Sequence, residues 1–162
     1  MAAPTVGKKI AAFSVATTST PKLTSKELAG RPYVLYFYPK DDTPGCTLES
    51  QGFRDHHPEF GKLNVRILGV SRDTLASHAK FQGKYSLPFE LVSDSDEKLC
   101  KQFDVIKEKN MYGKKVFGIE RSTFLVDADG VLRKEWRKVK VDGHVAEVLA
   151  AAAELKRNGA PA

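Results

Sequence analysis

The order of strand-like and helix-like segments predicts an α/β protein, a three-layer sandwich with a central mixed β-sheet flanked by helices. Three observations predict it. Near-continuous runs of β-formers occur at YVLYFY (33–38) and VRILGVS (65–71), as in strands covered on both faces. Segments with helical spacing separate such runs. The chain then closes with a hairpin and an Ala/Leu-rich helix. With 162 residues, 41% of them hydrophobic and 28% charged, the chain has the size of one domain with a real core. Residues 1–162 are expected to form a single domain.

Residues 1–9 read as a ragged terminus, followed by an early strand around Ala12–Val15. The start loosely mimics a signal peptide, with Lys8 and Lys9 before a short apolar run. Ser14 breaks that run and no clear cleavage site follows, so the strand is the better reading. Residues 20–30 predict a short helix or turn closing on Gly30, and 33–38 the first buried strand. A helix is expected from Pro44 to Phe60, a strand at 65–71, a helix at 73–86 that Gly83 weakens, and a short strand at 89–94. SDEKLCKQFDV predicts a helix capped by Ser95 or Asp96, with Leu99, Cys100 and Phe103 on one face. Residues 106–118 are polar with two glycines and predict a long loop. Residues 121–136 predict a hairpin around Asp129-Gly130, and 142–158 a last helix, with Lys156 and Arg157 at its C-terminal dipole and Gly159 after it.

The net charge is +6, but the basic residues are scattered, so a solvated surface rather than a nucleic-acid interface is expected. No stretch is long and apolar enough to span a membrane. Two cysteines make no disulfide framework in a chain of this size, and a reducing, cytoplasmic setting fits them. Two cysteines and four histidines show no metal-ligand spacing beyond the adjacent His56-His57, and no metal or cofactor is expected.

Cys46 carries the chemistry. Thr43 is placed as N-cap and Pro44 as the first helical residue, so Cys46 falls in the first turn of a helix. There the unpaired N–H groups and the positive end of the dipole favour a thiolate, the nucleophilic form. Gly45 leaves room for a group to approach the backbone. A redox CxxC is excluded, because Glu49 stands three residues on. A hydrolase would need a general base, and His56 and His57 lie about three turns further along. His78 or His144 could fold close, but nothing in the sequence says so. Attack on a peroxide O–O bond needs only a thiolate, hydrogen-bond donors and a cationic group, and it leaves a sulfenic acid.

PKDDTPGC, Pro39 to Cys46, matches the peroxiredoxin pattern PxxxTxxC, and the fuller FYPKDDTPGCTLE resembles the peroxiredoxin Q, or bacterioferritin comigratory protein, branch. ILGVSRD, LVSDSDEKLCKQFDV and RSTFLVDADGVL follow in the order of that branch. The resemblance implies a thioredoxin-like fold and a thiol-dependent peroxidase acting on hydrogen peroxide and organic hydroperoxides. It implies that Cys46 is the nucleophile, that the Thr43 hydroxyl bonds peroxide and sulfur, that Pro39 shields the thiolate and that Arg121 supplies the guanidinium. Glu49 matches a recurrent position and is expected to orient Arg121 or to serve as a first-turn carboxylate.

The chain departs from the branch where a second sulfur would stand. Gln51 occupies the position five residues after Cys46, and residues 73–86 hold no cysteine. Cys100 reads as a buried structural thiol, with a resolving role as the alternative. A one-cysteine mechanism is therefore expected, in which thioredoxin, glutaredoxin or glutathione reduces the sulfenic acid. A redox sensor with little turnover is the other open reading. By analogy with the branch, the protein is expected to be a monomer.

Overall fold

A computed structural model describes residues 3–157. Seven strands form one mixed sheet. In chain order they begin with β1 (Ser14–Thr17), β2 (Leu23–Thr24), β3 (Tyr33–Phe37), β4 (Arg66–Ser71) and β5 (Glu90–Ser93). A separate two-stranded hairpin, β6 (Ile106–Met111) and β7 (Lys114–Ile119), precedes the closing pair β8 (Ser122–Val126) and β9 (Leu132–Trp136). The sheet order is β2-β1-β5-β4-β3-β8-β9. At its centre β3 runs parallel to β4 and antiparallel to β8. The helices are α1 (Ser25–Leu28), α2 (Pro44–Asp55), α3 (His57–Lys62), α4 (Leu75–Tyr85), α5 (Lys98–Gln102) and α6 (His144–Arg157).

The two-residue period of β3 divides the interior into two cores. Tyr33, Leu35 and Phe37 face one side and pack with Leu28, Leu99, Cys100 and Phe103. Val34 and Tyr36 face the other and pack with Cys46, Phe53, Phe60, Phe81 and Val148. Both faces are covered, which is why the β3 segment reads as an unbroken apolar run. Within the second core, Tyr36 stacks on Phe53 of α2 at 4.6 Å between ring centroids, and its hydroxyl lies 2.9 Å from Ser50 Oγ of the same helix. Gly69, opposite Tyr36 in β4, makes room for that ring.

Several expectations need correction. The helix from Pro44 to Phe60 is two helices, broken at His56 (φ −97°, ψ 2°), because Pro58 has no N–H to continue the ladder and sits instead in the first turn of α3, where none is needed. The loop at 106–118 is the β6–β7 hairpin, turned at Tyr112 and Gly113, both with positive φ. Its strands lie outside the main sheet and β7 is mostly exposed, so no apolar alternation marks them. Neither Ser95 nor Asp96 occupies the N-cap position of α5, although the Asp96 carboxylate accepts from the Lys98 N–H at 3.3 Å. Glu97 takes the N-cap position in a left-handed conformation, and the Asp94 carboxylate accepts from the Leu99 and Cys100 N–H groups. The early strand lies two residues later than expected. The ragged terminus is tied down from Gly7, whose N–H donates to the Leu132 carbonyl, and Lys9 bridges Val131. Gly83 does not interrupt α4. The hairpin around Gly130 and the last helix form as expected, while Gly159 lies outside the described residues.

A Cβ at Gly69 would sit 2.7 Å from the Tyr36 ring and 2.8 Å from Leu91. Gly69→Ala is therefore expected to destabilise the fold by about 1–3 kcal/mol and to loosen α2 from the sheet. Urea unfolding tests this, and an unchanged midpoint would show that β4 tolerates the methyl group.

Candidate active site

The site forms where the C-terminal end of β3 meets the start of β8. In the antiparallel register Phe37 pairs with Ser122, so Arg121 arrives beside Tyr38, where the chain leaves the sheet for α2. Thr43 has extended backbone (φ −103°, ψ 154°), its carbonyl accepts the first helical bond from Thr47 N–H at 2.8 Å, and Pro44 opens the helix. Cys46 is the third helical residue and is 1% exposed. The expected N-cap is thus correct for the backbone and wrong for the side chain. The Thr43 hydroxyl makes no cap bond and instead donates to the Lys40 carbonyl at 2.8 Å. The first-turn N–H groups are left without that side-chain acceptor, and the Thr43 oxygen keeps its lone pairs for another donor.

Arg121 binds two groups on one face of α2. Its Nη2 donates to Cys46 Sγ at 3.4 Å and its Nη1 to Glu49 Oε1 at 2.7 Å. Cys46 and Glu49 are three residues apart, one helical turn, so a planar guanidinium spans both. Glu49 is fully buried and its Oε2 has no hydrogen-bond partner among the described residues. Burial pushes its carboxyl up to about 7, against the opposing pull of Arg121. Burial also works against the Arg121 charge, but Glu49 and Cys46 outweigh it and hold the guanidinium above its ordinary value.

Gly45 has a specific task. A Cβ there would meet Arg121 Nη2 at 3.0 Å, with Val141 at 4.0 Å on the far side. The group expected to approach that backbone is the guanidinium itself. The Arg121 carbonyl accepts from Val139 N–H at 3.0 Å, which ties the 139–141 segment to the backbone of the arginine. Pro39 is half-buried at the head of the loop. The 139–141 segment and the Lys40 carbonyl carry no sequence signal, since both act through backbone or packing.

The histidines do not reach the sulfur as a base. His144 is buried, with Nε2 2.8 Å from Thr123 Oγ1, and burial with Arg121 nearby lowers it to about 4. His78 is buried under the active-site loop and engages Asp41 and the Val92 carbonyl. Cys100 lies in the opposite core from Cys46, across the sheet. Burial, reinforced by Asp94, pushes its thiol up. Among the described residues no helix is long and apolar enough to cross a membrane.

Residues 6–135 match the AhpC/TSA family. Peroxiredoxin Bcp of Xanthomonas campestris is 59% identical over 128 residues, 79% of this chain and 80% of the relative. Peroxiredoxin Bcp of Bacillus subtilis is 57% identical over 120 residues, covering 74% and 76% of the two chains. A solved structure of the X. campestris bacterioferritin comigratory protein, studied for its alkyl peroxide reduction activity, superposes with a TM-score of 0.84 at 52% identity, covering 88% of this chain and 90% of that one. These relatives share the thioredoxin-like fold of curled mixed sheet and flanking helices. This chain belongs to the AhpC/TSA family, as a peroxiredoxin of the peroxiredoxin Q, or bacterioferritin comigratory protein, branch.

Proposed function

We propose that this peroxiredoxin reduces hydrogen peroxide and organic hydroperoxides at Cys46 by a one-cysteine mechanism. The observation that carries the proposal is the Arg121 guanidinium, which contacts Cys46 Sγ and is anchored by Glu49. The thiolate attacks the terminal peroxide oxygen, the S–O bond forms as the O–O bond breaks, and sulfur is oxidised by two electrons. The departing alkoxide or hydroxide takes a proton and leaves as alcohol or water. Arg121 and the open N–H groups of α2 stabilise charge that shifts from sulfur to the leaving oxygen. Because the Thr43 hydrogen is committed to Lys40, the Thr43 oxygen acts as acceptor for the peroxide O–H. Pro39 shields the thiolate from water. The alkyl peroxide reduction activity of the X. campestris relative supports the organic substrates.

Cys46 sulfenic acid then reacts with an external thiol, giving a mixed disulfide and water, and a second thiol releases Cys46 as thiol. Thioredoxin, glutaredoxin and glutathione are the candidate donors. The placement of Cys100 across the sheet, and its stabilised thiol form, argue against it as resolver. We further propose that residues 1–162 work as one domain, as a monomer, in the reducing cytoplasm, which suits two unpaired buried cysteines.

Mass spectrometry after one equivalent of peroxide is expected to show one added oxygen, trapped as sulfenic acid at Cys46, with no activity in Cys46→Ser. A mass loss of two hydrogens with a Cys46–Cys100 peptide pair would contradict the one-cysteine route.

Glu49 also makes a pH prediction. Its folded value of about 7 lies above its ordinary 4.5, so the folded protein holds a proton that the unfolded chain releases between those values. The stability this group contributes is complete below about pH 4.5 and is lost as pH rises toward 7. Relative to Glu49→Gln, the natural protein should therefore lose stability across that interval in urea melts. A constant difference between the two proteins would show that Glu49 ionises as freely in the fold as outside it.

A further inference from the structure

The loop that carries Pro39 and Thr43 is held by a buried network outside the reacting centre. Asp41, in the middle of the loop, is 7% exposed. Its carboxylate receives three donors: the Tyr38 hydroxyl on Oδ1 at 2.6 Å, and Ser77 Oγ at 2.8 Å and His78 Nδ1 at 2.7 Å on Oδ2. His78 has no exposed surface. Its Nε2 lies 2.8 Å from the Val92 carbonyl, which only accepts, so Nε2 carries a hydrogen. The Nδ1 contact then closes with a proton shared between imidazole and carboxylate, a charge-assisted bond in a dry setting. Asp42, the next residue, accepts from Lys84 Nζ and the Tyr85 hydroxyl, both at 2.7 Å. The loop is therefore fastened to α4 near both ends of that helix. The Asp42 contacts are exposed and weakly binding, so the Asp41–His78 contact is the firm one.

One peptide plane links this network to the reaction. The Asp41 N–H donates to Asp73 Oδ2 at 2.9 Å, and Asp73 also accepts from Ser71 Oγ at 2.6 Å. The other edge of the same planar group is the Lys40 carbonyl, which receives the Thr43 hydroxyl. Holding Asp41 by its side chain and its N–H sets the direction of that carbonyl, and so decides which way the Thr43 lone pairs face. We infer that His78 is a positioning residue for the peroxide reaction, acting through Asp41 and the 40–41 peptide on Thr43. The inference rests on the peroxidase reading of Cys46.

Two substitutions separate positioning from packing. In His78→Asn the amide nitrogen takes the place of Nδ1 and still donates to Asp41, but the reach to Val92 is lost. In His78→Gln the nitrogen takes the place of Nε2 and serves Val92, leaving Asp41 without its contact from position 78 and with Tyr38 and Ser77 as its remaining side-chain donors. The second-order rate of Cys46 oxidation by hydrogen peroxide is measured beside Cys46 alkylation by iodoacetamide, which makes no use of Thr43. His78→Gln is expected to lose about 10–100-fold in the peroxide rate with a much smaller change in alkylation, while His78→Asn keeps most of both. Equal peroxide rates in the two variants, or a parallel fall of both reactions, would overturn the inference. Should either variant fail to fold, Asp41→Ala is compared with the parent protein instead: a selective loss of the peroxide rate is expected, and an unchanged peroxide rate overturns the inference. Cys46 that ignored peroxide in the parent protein would refute the peroxidase reading, whereas equal rates in the amide variants refute only the role of His78.

Discussion

A single guanidinium ties Cys46 to Glu49. Arg121 reaches Cys46 with one nitrogen and Glu49 with another, and much of the surrounding structure serves that contact. The β3–β8 register delivers the arginine, Gly45 keeps the approach open, and the 139–141 segment is tied to its backbone. The cost is a carboxylate enclosed in the core with one oxygen unpaired among the described residues. Removing such a partner leaves a buried charge uncompensated, a loss of about 3–5 kcal/mol in comparable pairs. Arg121 cannot swing away from Cys46 without also abandoning Glu49.

The central sheet makes the second constraint. It places the two cysteines in different cores, so among the described residues Cys46 has no second cysteine on its own side of the sheet. Helix α4 holds no thiol and instead grips the active-site loop through Asp41 and Asp42.

Much of this was legible in the sequence because it was written in local patterns. The apolar run at Tyr33–Tyr38 and the turn PKDDTPGC placed the strand, the loop and the helix start, and Cys46, Thr43 and Arg121 followed from a motif resemblance. Other features carry no local signature. The β6–β7 hairpin is polar because it leaves the sheet, so its strands lack alternation. The break at His56 turns on Pro58, a single residue inside an otherwise helical pattern. Thr43 has an N-cap sequence, yet a carbonyl three residues back competes for its hydroxyl, and only the folded loop decides that contest. The Asp41–His78 contact joins residues 37 apart in sequence, and neither residue type in isolation points to the other.

The most direct measurement is a double-mutant cycle on the rate of Cys46 oxidation by hydrogen peroxide, using Glu49→Gln, Arg121→Lys and both together. A lysine keeps the charge but lacks the planar fork that reaches sulfur and carboxylate through two separate nitrogens. If Glu49 acts on sulfur only through the guanidinium, Arg121→Lys should lose about 10²–10³-fold and the double variant should be no slower than Arg121→Lys alone. Losses that multiply would contradict this arrangement, because Glu49 and Arg121 would then act on Cys46 independently.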